Sequence, residues 1–86
     1  MSQNLITVNV KLFAAFQDAF GVSELTLDFP ENTAVSSVLE HLITEKKQLE
    51  NWRSVTRFGV NLQFVDSSTI LHDGDEVVLI PPVSGG

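Results

Sequence analysis

The sequence contains no cysteine, and five basic side chains stand against eleven carboxylates. Without cysteine there is no disulfide, no thiolate-bound zinc, no cysteine-held iron–sulfur cluster and no thiol nucleophile. The formal net charge of −6 opposes binding to nucleic acid or anionic membranes, which carry the same sign. It favours solubility and attraction to basic protein surfaces. The cations are Lys11, Lys46, Lys47, Arg53 and Arg57, and the Lys46-Lys47 pair is too short to make a basic patch. Long apolar runs are missing as well. Runs such as Val77 to Ile80 are far shorter than a membrane span. The opening Met1-Ser2-Gln3-Asn4 has neither the positive region nor the apolar stretch of a secretory signal, so the expected location is cytoplasmic. No repeat, linker, low-complexity segment or glycine-rich phosphate loop is present.

What remains is an 86-residue chain with 43% hydrophobic residues, enough for one folded domain with a modest core. Alternation at a period of two begins at Leu5 and places Ile6, Val8, Val10 and Leu12 against Thr7, Asn9 and Lys11, which predicts a strand over Leu5 to Phe13. Ala14 to Phe20 breaks that period and ends at Gly21, the pattern of a short helix with a glycine C-cap. Alternation resumes with Leu25, Leu27 and Phe29, and Pro30 is expected to stop it. Thr33 is the expected N-cap of the main helix, whose apolar stripe is Val35, Val38, Leu39, Leu42 and Ile43. The polar stretch from Glu45 to Asn51 suits either more helix or a loop. A third strand is expected from Ser54 to Leu62, with Thr56, Phe58, Val60 and Leu62 on one side. A short strand at Phe64-Val65 and a turn at His72-Asp73-Gly74-Asp75 follow. The last strand runs from Glu76 to Ile80.

One sheet on one main helix gives a two-layer α+β domain over residues 1–80, with a tail over 81–86. A single helix covers only one sheet face. Val77 to Ile80 is apolar on both faces, and Phe13 falls on the polar side of its strand. The second face is therefore expected to carry an apolar patch, either a protein interface or ground lying under covering loops.

Few residues offer chemistry of their own. His41 sits off the helix stripe and His72 beside a turn, both read as solvated, and Trp52 reads as a core or core-lid aromatic. Asp73-Gly74-Asp75-Glu76 lacks the ligand spacing of a calcium loop, Ser36 and Ser37 have no base beside them, and no metal site is expected. The C-terminal Pro81-Pro82-Val83-Ser84-Gly85-Gly86 stands out. Two glycines after a stiff Pro-Pro pair form a thin thread whose six residues reach roughly 20 Å at about 3.3–3.6 Å each. Such a thread suits a deep, narrow active site on another protein, and its one reactive group is the Gly86 α-carboxylate. A carboxylate becomes an acyl donor once adenylated. A sulfide equivalent then displaces AMP to give a thiocarboxylate, or an amine displaces it to give an isopeptide. Both routes put the catalytic groups on partners.

Val10-Lys11-Leu12-Phe13-Ala14, Gly59-Val60-Asn61, the run Leu71 to Val77 and the Pro81–Gly86 end together resemble the small, sulfur-carrying subunit of molybdopterin synthase. The resemblance spans essentially the whole chain. It implies a β-grasp, ubiquitin-like fold, a mixed sheet packed on one main helix. It implies that a separate ubiquitin-activating-like enzyme adenylates Gly86 with ATP, and that a sulfur donor converts the glycyl adenylate to 1-thioglycine. The thiocarboxylate would then enter the large catalytic subunit of a heterotetramer and build the dithiolene of molybdopterin. This chain would bind no cofactor itself. Gly85 would let the tip pass a channel, Pro81, Pro82, Val83 and Ser84 would align it, and Phe13, Val78 and Ile80 would dock on the partners. Where the family carries an Arg-Glu pair after the first strand, this chain has Gln17-Asp18. Three alternatives stay open: a carrier for thiazole synthesis or tRNA thiolation, a ubiquitin-like modifier joined to lysines through Gly86, and an interaction module with an inert tail.

Overall fold

A computed structural model describes residues 4–81. The elements run β1 (Leu5–Lys11), α1 (Ala15–Phe20), β2 (Glu24–Pro30), α2 (Ser36–Glu45), a 3-10 segment (Lys47–Trp52), β3 (Arg57–Val60), β4 (Gln63–Val65) and β5 (Glu76–Ile80). The strands form one mixed sheet in the order β2-β1-β5-β3-β4. β1 pairs antiparallel with β2 and parallel with β5, whose other edge takes β3 in antiparallel register. This is the β-grasp arrangement expected from the sequence.

The period of two sorts the strands cleanly. Ile6, Val8 and Val10 of β1 and Val77 and Leu79 of β5 are buried beneath the main helix side. Val35, Val38, Leu39, Leu42 and Ile43 are all buried against them, which is the stripe expected for α2. Gly21 ends α1 in the left-handed region at φ 73°, its N–H donating to the Gln17 carbonyl.

Two local expectations are corrected. Thr33 does not cap α2: the helix starts at Ser36, and the Thr33 hydroxyl donates to the Pro30 carbonyl at 2.6 Å. The first free N–H groups are satisfied instead by a distant loop, Val35 N–H donating to Thr69 O at 2.8 Å and Ser36 N–H to Ser67 O at 3.1 Å. The third strand is shorter than the expected Ser54 to Leu62. Thr56 is tied back to Trp52, its hydroxyl donating to the Trp52 carbonyl at 2.7 Å, so β3 begins at Arg57. At its other end Asn61 and Leu62 have φ of 51° and 71° and form a two-residue turn into β4. Leu62 is therefore 90% exposed rather than on the buried side. Pro30, opposite Leu5, is the last residue of β2 and ends the strand as expected.

The polar stretch after α2 is tied down at two points. Leu49 is buried among core residues and Trp52 packs against them half-buried. Outside, Arg53 donates through Nε and a terminal nitrogen to both Glu40 carboxylate oxygens, at 2.8 and 3.0 Å, which holds the Glu40 carboxyl below its ordinary pKa. Both groups are about half exposed, so burial of Leu49 is the stronger tether. Leu49→Ala is expected to lower unfolding free energy by about 2–5 kcal/mol. Urea denaturation measures it, and an unchanged midpoint would show that the segment is not anchored through this side chain.

Candidate functional site

The sheet face turned away from α2 divides into two halves. Over β1 and β2 it is polar. Thr7 donates to Asp28 at 2.7 Å, Asn9 bonds to Glu24, and Lys11 pairs with Glu76 at 3.3 Å. Over β5, β3 and β4 it is apolar, with Val78, Ile80, Phe64 and Leu62 surrounding Gly59. Phe64 lies directly opposite Gly59 in the β3–β4 register, and Gly59 opposite Val78 in the β3–β5 register. Phe64 is 74% exposed. The expected apolar patch is therefore real, and the described residues leave it open to solvent.

Of the three docking residues named from the sequence, Val78 and Ile80 sit half-buried within this patch. Phe13 is exposed just beyond β1, between the fully buried Leu12 and Phe16. Ala14 makes this possible by adopting φ 52° and ψ −121°, a backbone region that favours glycine. Because β1 and β5 run parallel with Lys11 opposite Val78, Phe13 and Ile80 lie toward the same end of the sheet. Sequence reading missed Leu62 and Phe64. The available signal was Asn61: a two-residue turn after Val60 puts Leu62 at a hairpin tip and Phe64 on the outer face.

Pro81 is half-buried and follows directly on Ile80. Pro82, Val83, Ser84, Gly85 and Gly86 lie outside the described residues. The start of β5, the strand that leads to this exit, is held by hydrogen bonds on both of its flanks. Asn61 Nδ2 donates to Asp75 at 2.9 Å, and Asn61 Oδ1 accepts from the Glu76 N–H at 3.0 Å. The second Asp75 oxygen accepts from the His72 N–H at 2.8 Å, while Asp73 accepts from the Thr7 N–H at 2.8 Å. Gly74 turns the chain at φ 86° and donates its N–H to the Thr7 carbonyl at 2.8 Å. Asn61, Asp73, Gly74 and Asp75 are thus scaffold, setting the register from which the tail departs.

His41 packs edge-on to Phe29 at 5.8 Å, and His72 is largely exposed, 4.0 Å from Asp75. Among the described residues no group of three or more His, Asp or Glu converges as a metal site would. No helix of the described residues is long and apolar enough to cross a membrane.

A five-stranded mixed sheet grasping one main helix, with an apolar outer patch beside a C-terminal exit, defines a ubiquitin-like β-grasp domain. The chain belongs to the ThiS family, whose model matches residues 10–86. The molybdopterin synthase sulfur carrier subunit of Arabidopsis thaliana is 33% identical over 81 residues, covering 94% of this chain and 84% of that one. Subunit 1 in the complex of subunits 1 and 2 of the molybdopterin-converting factor from Helicobacter pylori is 29% identical, with a TM-score of 0.60, over 94% of this chain and 100% of that one. The small archaeal modifier protein 1 of Methanosarcina acetivorans is 29% identical, with a TM-score of 0.76, over 96% and 99%.

The Asn61–Asp75 cluster predicts a stability effect distinct from any chemistry. Asp75 has only 12% of its side chain exposed, and its removal deletes its hydrogen bonds to the Asn61 amide and the His72 N–H, which water can then reach. Asp75→Ala is expected to cost about 0.5–1.5 kcal/mol, seen as a lower thermal midpoint. An unchanged midpoint would show that the cluster does not hold β5.

Proposed function

We propose that this chain is the sulfur carrier subunit of a molybdopterin synthase, with Gly86 as the sulfur-bearing residue. The observation that carries this reading is membership of the ThiS family together with a Pro-Pro-Val-Ser-Gly-Gly end issuing from a central strand. The chain acts as one subunit of a two-subunit synthase. The Gly86 carboxylate attacks the α-phosphorus of ATP on a separate activating enzyme, giving a glycyl adenylate and pyrophosphate. A sulfide equivalent from a sulfur donor then displaces AMP and leaves the thiocarboxylate. The tail carries that group into the large subunit, whose residues direct its attack on a cyclic pyranopterin monophosphate. The described part of this chain supplies docking and aim, and the chemistry proceeds where the tail is received, in the cytoplasm.

The geometry suits this division of labour. Val78 and Ile80 face outward on the strand that continues into the tail, so the docking patch and the reactive end share one rigid support. Arg57 pairs with Ile80 and sets a cation at the base of the tail, in a chain whose net charge is negative.

A second reading has support in the likeness to the small archaeal modifier protein. In it an amine rather than sulfide displaces AMP, and Gly86 forms an isopeptide with lysine of a target. Conjugates of raised mass bearing the Gly86 remnant distinguish it from sulfur transfer.

Two outcomes test the sulfur-carrier reading. Removal of Gly85-Gly86 is expected to leave large-subunit binding within a few-fold of the full chain while abolishing sulfur transfer in a reconstituted assay. Sulfur transfer by the shortened chain would contradict the role of Gly86. Phe13→Glu or Ile80→Glu is expected to weaken large-subunit binding tenfold or more, about 1.4 kcal/mol for each factor of ten. Calorimetric titration with unchanged affinity would refute the assigned docking face.

A further inference from the structure

β2 is the outermost strand on its side of the sheet and, among the described residues, pairs only with β1, so one of its edges faces solvent. The phase of the ladder decides what that edge displays. In antiparallel pairing, alternate residues turn their N–H and C=O toward the neighbour and the rest turn them away. The Leu12 N–H donates to Ser23 O at 2.8 Å at one end, and the Glu31 N–H donates to Asn4 O at 3.1 Å at the other. Both bonds belong to one phase, in which Ser23, Leu25, Leu27, Phe29 and Glu31 face β1. β1 keeps the complementary phase: the Asn9 N–H and both main-chain groups of Thr7 bond on the β5 side. The N–H and C=O of Glu24, Thr26 and Asp28 therefore point out of the sheet, with no main-chain partner among the described residues. The side chains follow the same alternation. Glu24, Thr26 and Asp28 are exposed on the outer face, while Leu25 and Leu27 are half-buried at the margin of the core. Glu24 and Asp28 are held by neutral donors, the Asn9 amide and the Thr7 hydroxyl, and neither has a cation partner among the described residues. The strand is seven residues long and regular throughout, with its proline at the far end. A long edge with neither bulge nor lysine is a template for strand addition.

We infer that the open edge of β2 is a docking site for an extended basic segment of another protein, which joins the sheet as an added strand. The carboxylates set the chemistry of that segment. Its residues opposite Glu24 and Asp28 share their outer face, so lysine or arginine falls at its first and fifth positions. Its residues opposite Leu25 and Leu27 fall on the inner face, so the second and fourth are apolar, as in Lys-Val-Thr-Val-Lys. A second copy of this chain is a poor occupant. Self-pairing centred on Thr26, the register that uses every outward group, sets Glu24 directly opposite Asp28 of the other copy, twice, and like charges so placed destabilise a sheet. The same two side chains therefore select against the chain itself and for a basic strand. β1 separates this edge from the apolar patch, so a strand added here leaves the patch uncovered. The site is independent of what Gly86 carries.

The test titrates the full, isotope-labelled chain with a capped peptide carrying Lys-Val-Thr-Val-Lys at its centre, and separately with its Glu-Val-Thr-Val-Glu counterpart. The basic peptide is expected to shift the amide resonances of residues 24–28 and to slow hydrogen exchange at the Glu24, Thr26 and Asp28 N–H. Exchange at Leu25 and Leu27, already bonded to β1, should change little. Glu24→Gln combined with Asp28→Asn keeps the acceptor oxygens and is expected to weaken binding about fivefold. Thr26→Pro removes the central outward N–H at an edge, where proline is tolerated, and is expected to weaken binding about tenfold with the thermal midpoint near that of the unaltered chain. Should Thr26→Pro fail to fold, the exposed carboxylate pair carries the test. Equal binding of the acidic peptide, resonance shifts away from β2, or unchanged exchange at those amides under millimolar basic peptide would overturn the site. Concentration-dependent dimerisation that protects the same amides without peptide would overturn the choice of occupant.

Discussion

β5 is wedged between β1 and β3, hydrogen-bonded on both edges, and this double pairing sets where and in what direction the chain leaves the sheet. Its inner residues Val77 and Leu79 are buried in the core, and its outer residues Val78 and Ile80 contribute to the apolar patch. One five-residue strand thus joins the core, the docking face and the root of the tail. A slip by one residue would exchange the inner and outer sets. The bonds from Asn61, Asp73 and Asp75 oppose such a slip by fixing the strand's first residue against its neighbours on both sides.

The two sheet faces do different work. The inner face holds the fold together by ordinary burial beneath α2, with the 3-10 segment tied in by Leu49 and Trp52. The outer face is half polar, satisfied by cross-strand pairs, and half apolar and open. An open apolar half costs solubility, which the excess of carboxylates elsewhere offsets. In the sulfur-carrier reading this separation lets the domain stay rigid while different partners take the same tail in turn.

Much of this was legible in the sequence because burial follows periodicity. The inward sets of β1, α2 and β5 and the cap at Gly21 all come from simple spacing. What escaped was non-local. Thr33 has the chemistry of a cap, but carbonyls of Ser67 and Thr69, more than thirty residues away, reach the helix start first. Leu62 continues an alternating pattern and so reads as buried, yet a left-handed turn at Asn61 ejects it. Phe64 escaped for the same reason, since its face depends on that turn. Phe13, Val78 and Ile80 were visible as apolar residues out of phase with the core. The residues that carried the family resemblance, Asn61 and Asp73 to Asp75, turn out to hold the strand.

The central claim is that Gly86 carries sulfur, and the intact mass of the chain purified from its own cells tests it most directly. The account predicts a fraction heavier by the exchange of one oxygen for sulfur, located at Gly86 by fragmentation and lost in cells lacking the activating enzyme. An unmodified C-terminus in both strains, with molybdopterin synthesis intact, would contradict it.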